Sequence, residues 1–236
     1  MLLLFEDGTT FLARKDRDFH SHLGSIKKEN LGYKKMKTSK GKVCFGVRPE
    51  FVDLFSRIKR VAQVVLPKDA AMILAETMVG KNSLVIEAGV GSGMLGAFFA
   101  QHCKRVVSYD VRKSFIRVAK QNRDLLKLKN WIIKEGDARK GFDERNADLV
   151  VLDLPDPWNC LESAKKSLKR GGFLCCYLPN LTQVIEVIHA LRSDEHFVYL
   201  KTVESFKREW VIKERIARPE HHALSHTGFL LFARKV

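Results

Sequence analysis

Four carboxylates and a run of glycines are the residues of this 236-residue chain whose types and spacing can do chemistry. The stretch Ser83 to Gly93, SLVIEAGVGSG, opens with Leu84, Val85 and Ile86 and then presents Glu87, Gly89, Gly91 and Gly93 before helix formers resume at Met94. Alternate glycines let a backbone take positive φ and approach a ligand closely, while the free N–H groups of the following helical turn face it. The pattern is a strand, a turn and a helix start. Its order, Gly-x-Gly-x-Gly with a carboxylate two residues ahead, differs from the Gly-x-Gly-x-x-Gly pyrophosphate cradle. Glu87 would repel a pyrophosphate and attract the cationic amino group of a methionine moiety. S-adenosylmethionine is therefore the preferred ligand, with a dinucleotide kept open.

The other carboxylates stand at the ends of later apolar runs. A strand over Arg105 to Tyr109 ends in Asp110, where a carboxylate accepts both ribose hydroxyls of an adenosine, or else caps a helix from Val111 to Leu128. A strand over Trp131 to Lys134 runs into Glu135-Gly136-Asp137-Ala138, and Asp137 suits the adenine amino group. A strand over Asp148 to Leu152 ends in Asp153-Leu154-Pro155-Asp156-Pro157-Trp158. Ligands of open α/β sheets bind at the carboxyl ends of the strands, so Glu87, Asp110, Asp137 and Asp153 are expected to converge on one edge.

The elements that must position them follow a strand-helix rhythm. Pro67 opens a helix that runs to Val79 and stops at Gly80, expected to lie across the entrance to the glycine strand, and Met94 to Cys103 is a short apolar helix. A helix over Cys160 to Lys169, a Gly171-Gly172 stop and a strand over Phe173 to Leu178 form another repeat, and Asn180 with Gln183 reads as a capping pair for a helix through Leu191. Then the rhythm changes. Phe197 to Ala217 is β-prone with a break around Lys207, and Thr227 to Val236 is a strand with no helix between, which predicts antiparallel pairing. The fold class is α/β, a Rossmann-like class I methyltransferase sheet over residues 61–236, mostly parallel with an antiparallel C-terminal strand.

Residues 1–60 read as a small N-terminal β module, with strands at Leu2 to Phe5, Thr10 to Ala13 and Val43 to Val47 and a turn at Glu6 to Thr9. Between them lies the lysine-rich loop Lys27 to Lys42. There Lys34, Lys35, Lys37, Lys40 and Lys42 surround Tyr33, a composition that suits an RNA backbone and a stacked base and equally suits a solvated loop. Phe51, Leu54, Phe55 and Ile58 recur at helical spacing within Pro49 to Val61, with Arg57, Lys59 and Arg60 on or beside the other face. Lys+Arg 42 against Asp+Glu 27 leaves a formal charge of +15, which draws a polyanion. Cys44, Cys103, Cys160, Cys175 and Cys176 form no C-x-x-C pair and fall mostly among apolar residues, so neither a disulfide frame nor a metal site is expected. No apolar run approaches the ~20 residues of a membrane span and MLLLFEDG has no basic leader, which predicts a cytoplasmic protein.

Taken in order, EAGVGSG at 87–93, Asp110, GDA at 136–138, DLPDPW at 153–158, YLPN and TQV within 177–184, AQVVLPKDAA at 62–71, and RP with HTGFLLFARK within 218–235 resemble the tRNA adenine-N1 methyltransferases that modify the T-loop adenine at position 58. H-S-H-L-G at 20–24 and T-S-K-G-K at 38–42 extend the resemblance into the N-terminal module, whose short length is closer to the archaeal form, some members of which also methylate adenine 57. The resemblance implies a homotetramer that takes S-adenosylmethionine and tRNA. It implies that Glu87, Gly89, Gly91, Ser92, Gly93, Met94 and Leu95 cover the methionine end, Asp110 the ribose, and Asp137 with Ala138 the adenine, and that Asp153 is the catalytic aspartate. One departure is Leu66, where the family often carries Tyr or His before P-K-D, leaving Tyr33, Trp158 or His226 as stacking partners for the target base, the last two more readily a core tryptophan and a structural histidine.

Overall fold

The computed structural model describes residues 1–61, 63–213, 215–221, 224 and 226–236. The first residue of the segment at 62–71 and position 214 of the β-prone stretch, together with 222, 223 and 225, lie outside the described residues. The chain divides into two compact units, Met1–Ile58 and Lys59–Val236.

In the first unit β1 (Leu2–Phe5), β2 (Thr10–Leu12), β5 (Lys35–Lys37) and β6 (Val43–Val47) form an antiparallel sheet in the order β2-β1-β6-β5, beside a hairpin of β3 (Phe19–Ser21) and β4 (Gly24–Ile26). Leu3, Phe5, Phe19, Ile26, Met36 and Cys44 close its core. The lysine-rich segment is not loop throughout. Alternation turns Met36 inward between exposed Lys35 and Lys37, and that period-two pattern pairs the segment with β6. The two N-terminal strings of the resemblance meet here: the Thr38 hydroxyl donates to the Leu23 carbonyl at 2.7 Å, and the Lys40 ammonium donates to the His22 carbonyl at 3.0 Å. Helix α1 (Phe51–Phe55) is shorter than the predicted periodicity, because the Arg57 guanidinium caps the Asp53 carbonyl at 2.7 Å, the acceptor that a further helical turn would use.

The second unit is built on a seven-stranded sheet in the order β12-β15-β11-β10-β7-β8-β9. Its strands are β7 (Leu84–Ala88), β8 (Arg105–Asp110), β9 (Trp131–Glu135), β10 (Ala147–Leu152), β11 (Leu168–Leu178), β12 (Phe197–Val203) and β15 (Phe229–Lys235), and a separate hairpin joins β13 (Trp210–Lys213) to β14 (Ile216–Pro219). Strands β7 to β11 pair in parallel, and β15 runs antiparallel to both β11 and β12, as the change of rhythm predicts. Strand β10 is buried along nearly its whole length, which explains its unbroken apolar run. The helices are α2 (Pro67–Thr77), α3 (Met94–His102), α4 (Lys113–Leu126), α5 (Leu161–Ser167) and α6 (Leu181–Arg192).

The structure revises the sequence reading at several points. Helix α2 stops at Thr77 because Met78, not Gly80, takes the left-handed cap at φ 50°. Gly171-Gly172 is no stop: β11 starts at Leu168, opposite Ala147, and residues 169–172 of the strand bulge out before Phe173 pairs with Leu149, with Gly171 at φ 76°. Asn180 occupies the N-cap of α6 without a side-chain cap and meets the Gln183 side chain instead, because Gln183 is drawn to the Pro155 carbonyl at 2.8 Å. Among the described residues no helix is long and apolar enough to cross a membrane, and no group of three or more His, Cys, Asp or Glu is placed to hold a metal ion.

Candidate active site

The carboxyl ends of β7, β8, β9 and β10 surround a cavity of about 310 Å³ lined by Gly89, Asp110, Asp137, Ala138 and Asp153 among others. Its floor depends on one glycine. Gly89 has φ 94°, and a Cβ there would stand 2.1 Å from the Asp153 carbonyl oxygen, so only glycine lets the exits of β7 and β10 come together. The Asp153 N–H closes the joint on the Ala88 carbonyl at 2.9 Å.

Asp110 is not the cap of α4, whose N-cap is Arg112. Its buried carboxylate accepts the N–H groups of Gly91 (3.2 Å) and Arg112 (2.9 Å) and the Arg112 guanidinium at both oxygens (3.0 and 3.2 Å). Burial pushes this carboxyl up, and the Arg112 fork with the two N–H groups more than offsets it, so it lies below its ordinary value. Asp137 repeats the arrangement with Arg139, which grips both oxygens at 3.0 and 3.1 Å and holds that carboxyl low.

Glu87 and Asp153 have no such partner. Loss of water pushes Asp153 up to about 7, with Arg112 pulling down and Asp110 pushing further up. Glu87 is buried on the β7 side and its carboxyl rises to about 8 for the same reason, although the Ser108 hydroxyl donates to it. Ser108 in turn accepts the Trp131 indole N–H at 2.8 Å, which lines up three buried polar groups across β7, β8 and β9. A Cβ at Gly93 or Gly96 would stand 2.4 or 2.7 Å from the Trp131 ring, so both glycines serve to seat that ring under α3.

Of the residues expected at the methionine end, Glu87, Gly91, Ser92, Met94 and Leu95 border a narrow cleft with Gln63, Val64 and Val65 that leaves only about 10 Å³. Gly89 and Asp153 line both this cleft and the cavity. Ser92 is buried and its hydroxyl accepts the Val61 N–H at 2.8 Å, while Asn122 donates to the Ser92 carbonyl (2.8 Å) and the Lys59 carbonyl (2.9 Å). Thus the chain just ahead of α2, rather than α2 itself, closes against the glycine turn. Helix α2 packs on α3 and is fastened elsewhere: buried Asp69 accepts Lys68 (2.7 Å), Ser205 (2.5 Å) and Thr227 (2.8 Å).

The Asp153 to Trp158 loop is anchored by Gln183 on the Pro155 carbonyl and by Asn159 on Asp156 at 2.9 Å. Trp158 packs against the core, and His226 links Glu204 (2.5 Å) to the Pro179 carbonyl (3.0 Å), so the two are respectively a core and a hydrogen-bonded structural residue. Tyr33 is exposed on the first unit. Lys34, Lys35, Lys37, Lys40 and Lys42 are exposed there too, with the Lys40 ammonium on the His22 carbonyl at 3.0 Å. Arg57 is engaged: its guanidinium binds the Thr10 carbonyl and hydroxyl as well as Asp53. Lys59 and Arg60 are exposed on the second unit.

The cavity fits a nucleoside. It offers a glycine turn that a side chain would fill, a carboxylate able to take a diol, and a second one beside a small residue, Ala138. The site roles of Arg112, Arg139, Ser108, Trp131 and Asn122 escaped the sequence reading, in which Arg112 falls on the basic face of a helix and Trp131 opens a strand. A signal for the first two is visible in hindsight, since Asp-x-Arg occurs at both 110–112 and 137–139.

Residues 49–217 match the family described as tRNA methyltransferase complex GCD14 subunit. The chain belongs to this family. It is similar over its whole length to a tRNA (adenine(57)-N(1)/adenine(58)-N(1))-methyltransferase of Methanocaldococcus jannaschii, with 33% identity covering 99% of this chain and 94% of the relative. Among solved structures, an S-adenosylmethionine-dependent O-methyltransferase from Thermotoga maritima superposes with a TM-score of 0.89 at 33% identity, covering 100% of this chain and 92% of the other. A tRNA (m1A58) methyltransferase from Aquifex aeolicus superposes with a TM-score of 0.83 at 25% identity, covering 100% and 96%. The expected class I methyltransferase fold and the expected family are thereby both established.

Proposed function

We propose that the chain transfers a methyl group from S-adenosylmethionine to N1 of a T-loop adenine of tRNA, at position 58, with position 57 the second site to assay. The observation that carries the reading is the end-to-end similarity to an enzyme named for both positions, on a sheet whose strand ends present a nucleoside-sized cavity.

The cofactor supplies a methyl group activated on a sulfonium. This chain's residues do the rest. Asp110 takes the ribose hydroxyls, Asp137 and Ala138 the adenine, and the turn through Gly89, Gly91 and Gly93 with Glu87, Ser92, Met94 and Leu95 the methionine end. Neutral adenosine already carries a lone pair on N1, so the chemistry needs in-line placement and stabilisation of the positive charge that grows on the ring. Asp153 accepts a hydrogen bond from the N6 amino group, and this bond strengthens as the ring becomes cationic. Pro155, Pro157 and the Gln183 bond hold its loop stiff.

The exposed lysines at 34, 35, 37, 40 and 42, with Lys59 and Arg60, contact the RNA backbone, and the enzyme works as a homotetramer in the cytoplasm. Arg57 drops from this set because both terminal nitrogens of its guanidinium are engaged by Asp53 and Thr10. Replacing Lys37 and Lys42 is expected to flatten the slope of log affinity against log salt by about 0.7–0.9 per lost phosphate contact.

Mass spectrometry of nucleosides from tRNA treated with labelled cofactor tests the function. Label on adenine N1 supports it. Label on an oxygen would favour the chemistry named for the Thermotoga structure, and label confined to small molecules would remove tRNA as the substrate.

A further inference from the structure

The lone pairs of Asp110 can be counted. A carboxylate offers about four acceptor positions, two per oxygen. In this structure one oxygen takes the Arg112 N–H and Nε, and the other takes the Gly91 N–H and Arg112 Nη2. All four are filled. The two N–H groups are held by the backbone of the glycine turn and of the residue beyond β8, but the other two donors belong to one half-exposed guanidinium on a flexible stem. A ribose diol brings two donors of its own. It can bind Asp110 only by replacing those two.

The other Asp-x-Arg does not face the same constraint. Asp137 accepts three donors, the Arg139 N–H, Nε and Nη2, so one position remains for a single amino N–H. Arg139 also lies 3.8 Å from Asp156 and has a second anion to stay with. The Arg112 guanidinium lies over the Phe115 ring, 3.8 Å from the centroid, at the head of α4, whose Lys113, Arg117 and Lys120 are all exposed. A guanidinium released there is an unpaired cation beside a basic helix face, and such a group suits a phosphate.

Resting on the methyltransferase reading, we propose that Arg112 occupies the ribose position of Asp110 in the free enzyme, is displaced when cofactor binds, and then serves as a phosphate contact for tRNA. Cofactor and tRNA thereby bind with positive coupling through one side chain. The sign is unusual: removing this cation from the site strengthens cofactor binding, because a competitor for Asp110 and a positive charge beside a cationic ligand both disappear.

Calorimetric titration of S-adenosylhomocysteine, followed by salt-dependent tRNA binding with and without it, tests the proposal. Arg112→Ala should bind S-adenosylhomocysteine roughly 1.5-fold to fivefold tighter, the range for loss of a half-exposed ion pair, and Lys120→Ala, on the exposed face of α4, should leave that affinity unchanged. In the parent, saturating S-adenosylhomocysteine should steepen the salt slope of tRNA binding by about 0.7–0.9, one phosphate contact, and this change should vanish in Arg112→Ala and persist in Arg112→Lys. Unchanged or weaker S-adenosylhomocysteine binding in a folded Arg112→Ala, or coupling that survives it, would overturn the proposal and leave the methyltransferase reading intact. A parent protein that binds no S-adenosylhomocysteine at all would overturn both.

Discussion

The strand ends of the second unit present two kinds of carboxylate. Asp110 and Asp137 each carry an arginine two residues on, closed over them as a fork, and both are held below their ordinary values. Glu87 and Asp153 lie on the inner strands β7 and β10 side, lack a bonded cation, and rise to about 8 and about 7. The difference teaches what each pair is suited to. A carboxylate kept ionised by a replaceable cation is a ready acceptor for a neutral diol or amine. One that is half-titrated near neutrality responds to a positive charge developing beside it, because that charge draws it into its ionised form.

The sharpest way to break the comparison is to delete one member from each kind. Asp153→Ala should lower the single-turnover methylation rate by about 10²–10⁴ while the fold and most tRNA affinity stay, the range for losing an electrostatic partner of the transition state. Asp153→Asn keeps an acceptor for N6 without the charge and should fall in the same direction. If both variants run within a few-fold of the parent, attention moves to Asp156. Asp110→Ala should act on binding instead, weakening S-adenosylhomocysteine by about 1.5–3 kcal/mol for each ribose bond lost, less whatever Arg112 would have cost. An unchanged calorimetric affinity would remove Asp110 from the ribose.

A pH profile sharpens the contrast further. If the ionised form of Asp153 is the active one, the single-turnover rate should drop by about tenfold per unit below pH 7 and level off above it. In Asp153→Asn this inflection should disappear. Asp110 and Asp137, already ionised, should contribute no inflection between pH 5 and 8. A parent profile flat across that interval would contradict the division into two kinds.

A stability measurement probes the same division. Folded Glu87 keeps its proton up to about 8, whereas its ordinary value is 4.5, so the folded state binds more protons over that interval. Its contribution to stability is fully present below about 4.5 and is lost as pH rises through about 8. Glu87→Gln, neutral at every pH, should remove a slope of at most about 1.4 kcal/mol per pH unit from the unfolding free energy across that interval. Denaturant titrations of parent and variant at pH 5 and 8 measure the difference. Equal differences at both pH values would mean that Glu87 is ionised when folded.

Local pattern alone determined a good deal of this protein. The glycine turn, the strand-helix rhythm, the antiparallel last strand and the placement of Asp110, Asp137 and Asp153 at strand ends all follow from periodicity and turn chemistry, which act between residues close in the chain. Only the tertiary structure decided which of the expected residues share the cavity. Ser92 turns its hydroxyl to Val61, thirty-one positions away in the chain; Gly93 and Gly96 make room for Trp131 from another strand; Arg57 is consumed by Thr10, forty-seven positions off. Such partners meet only when the sheet assembles. For Asp110 and Asp137 the deciding cation is a chain neighbour, the arginine two positions on, whereas the rise of Glu87 and Asp153 is set by tertiary burial, because the cost of ionising a carboxyl depends on the water it loses when the sheet assembles.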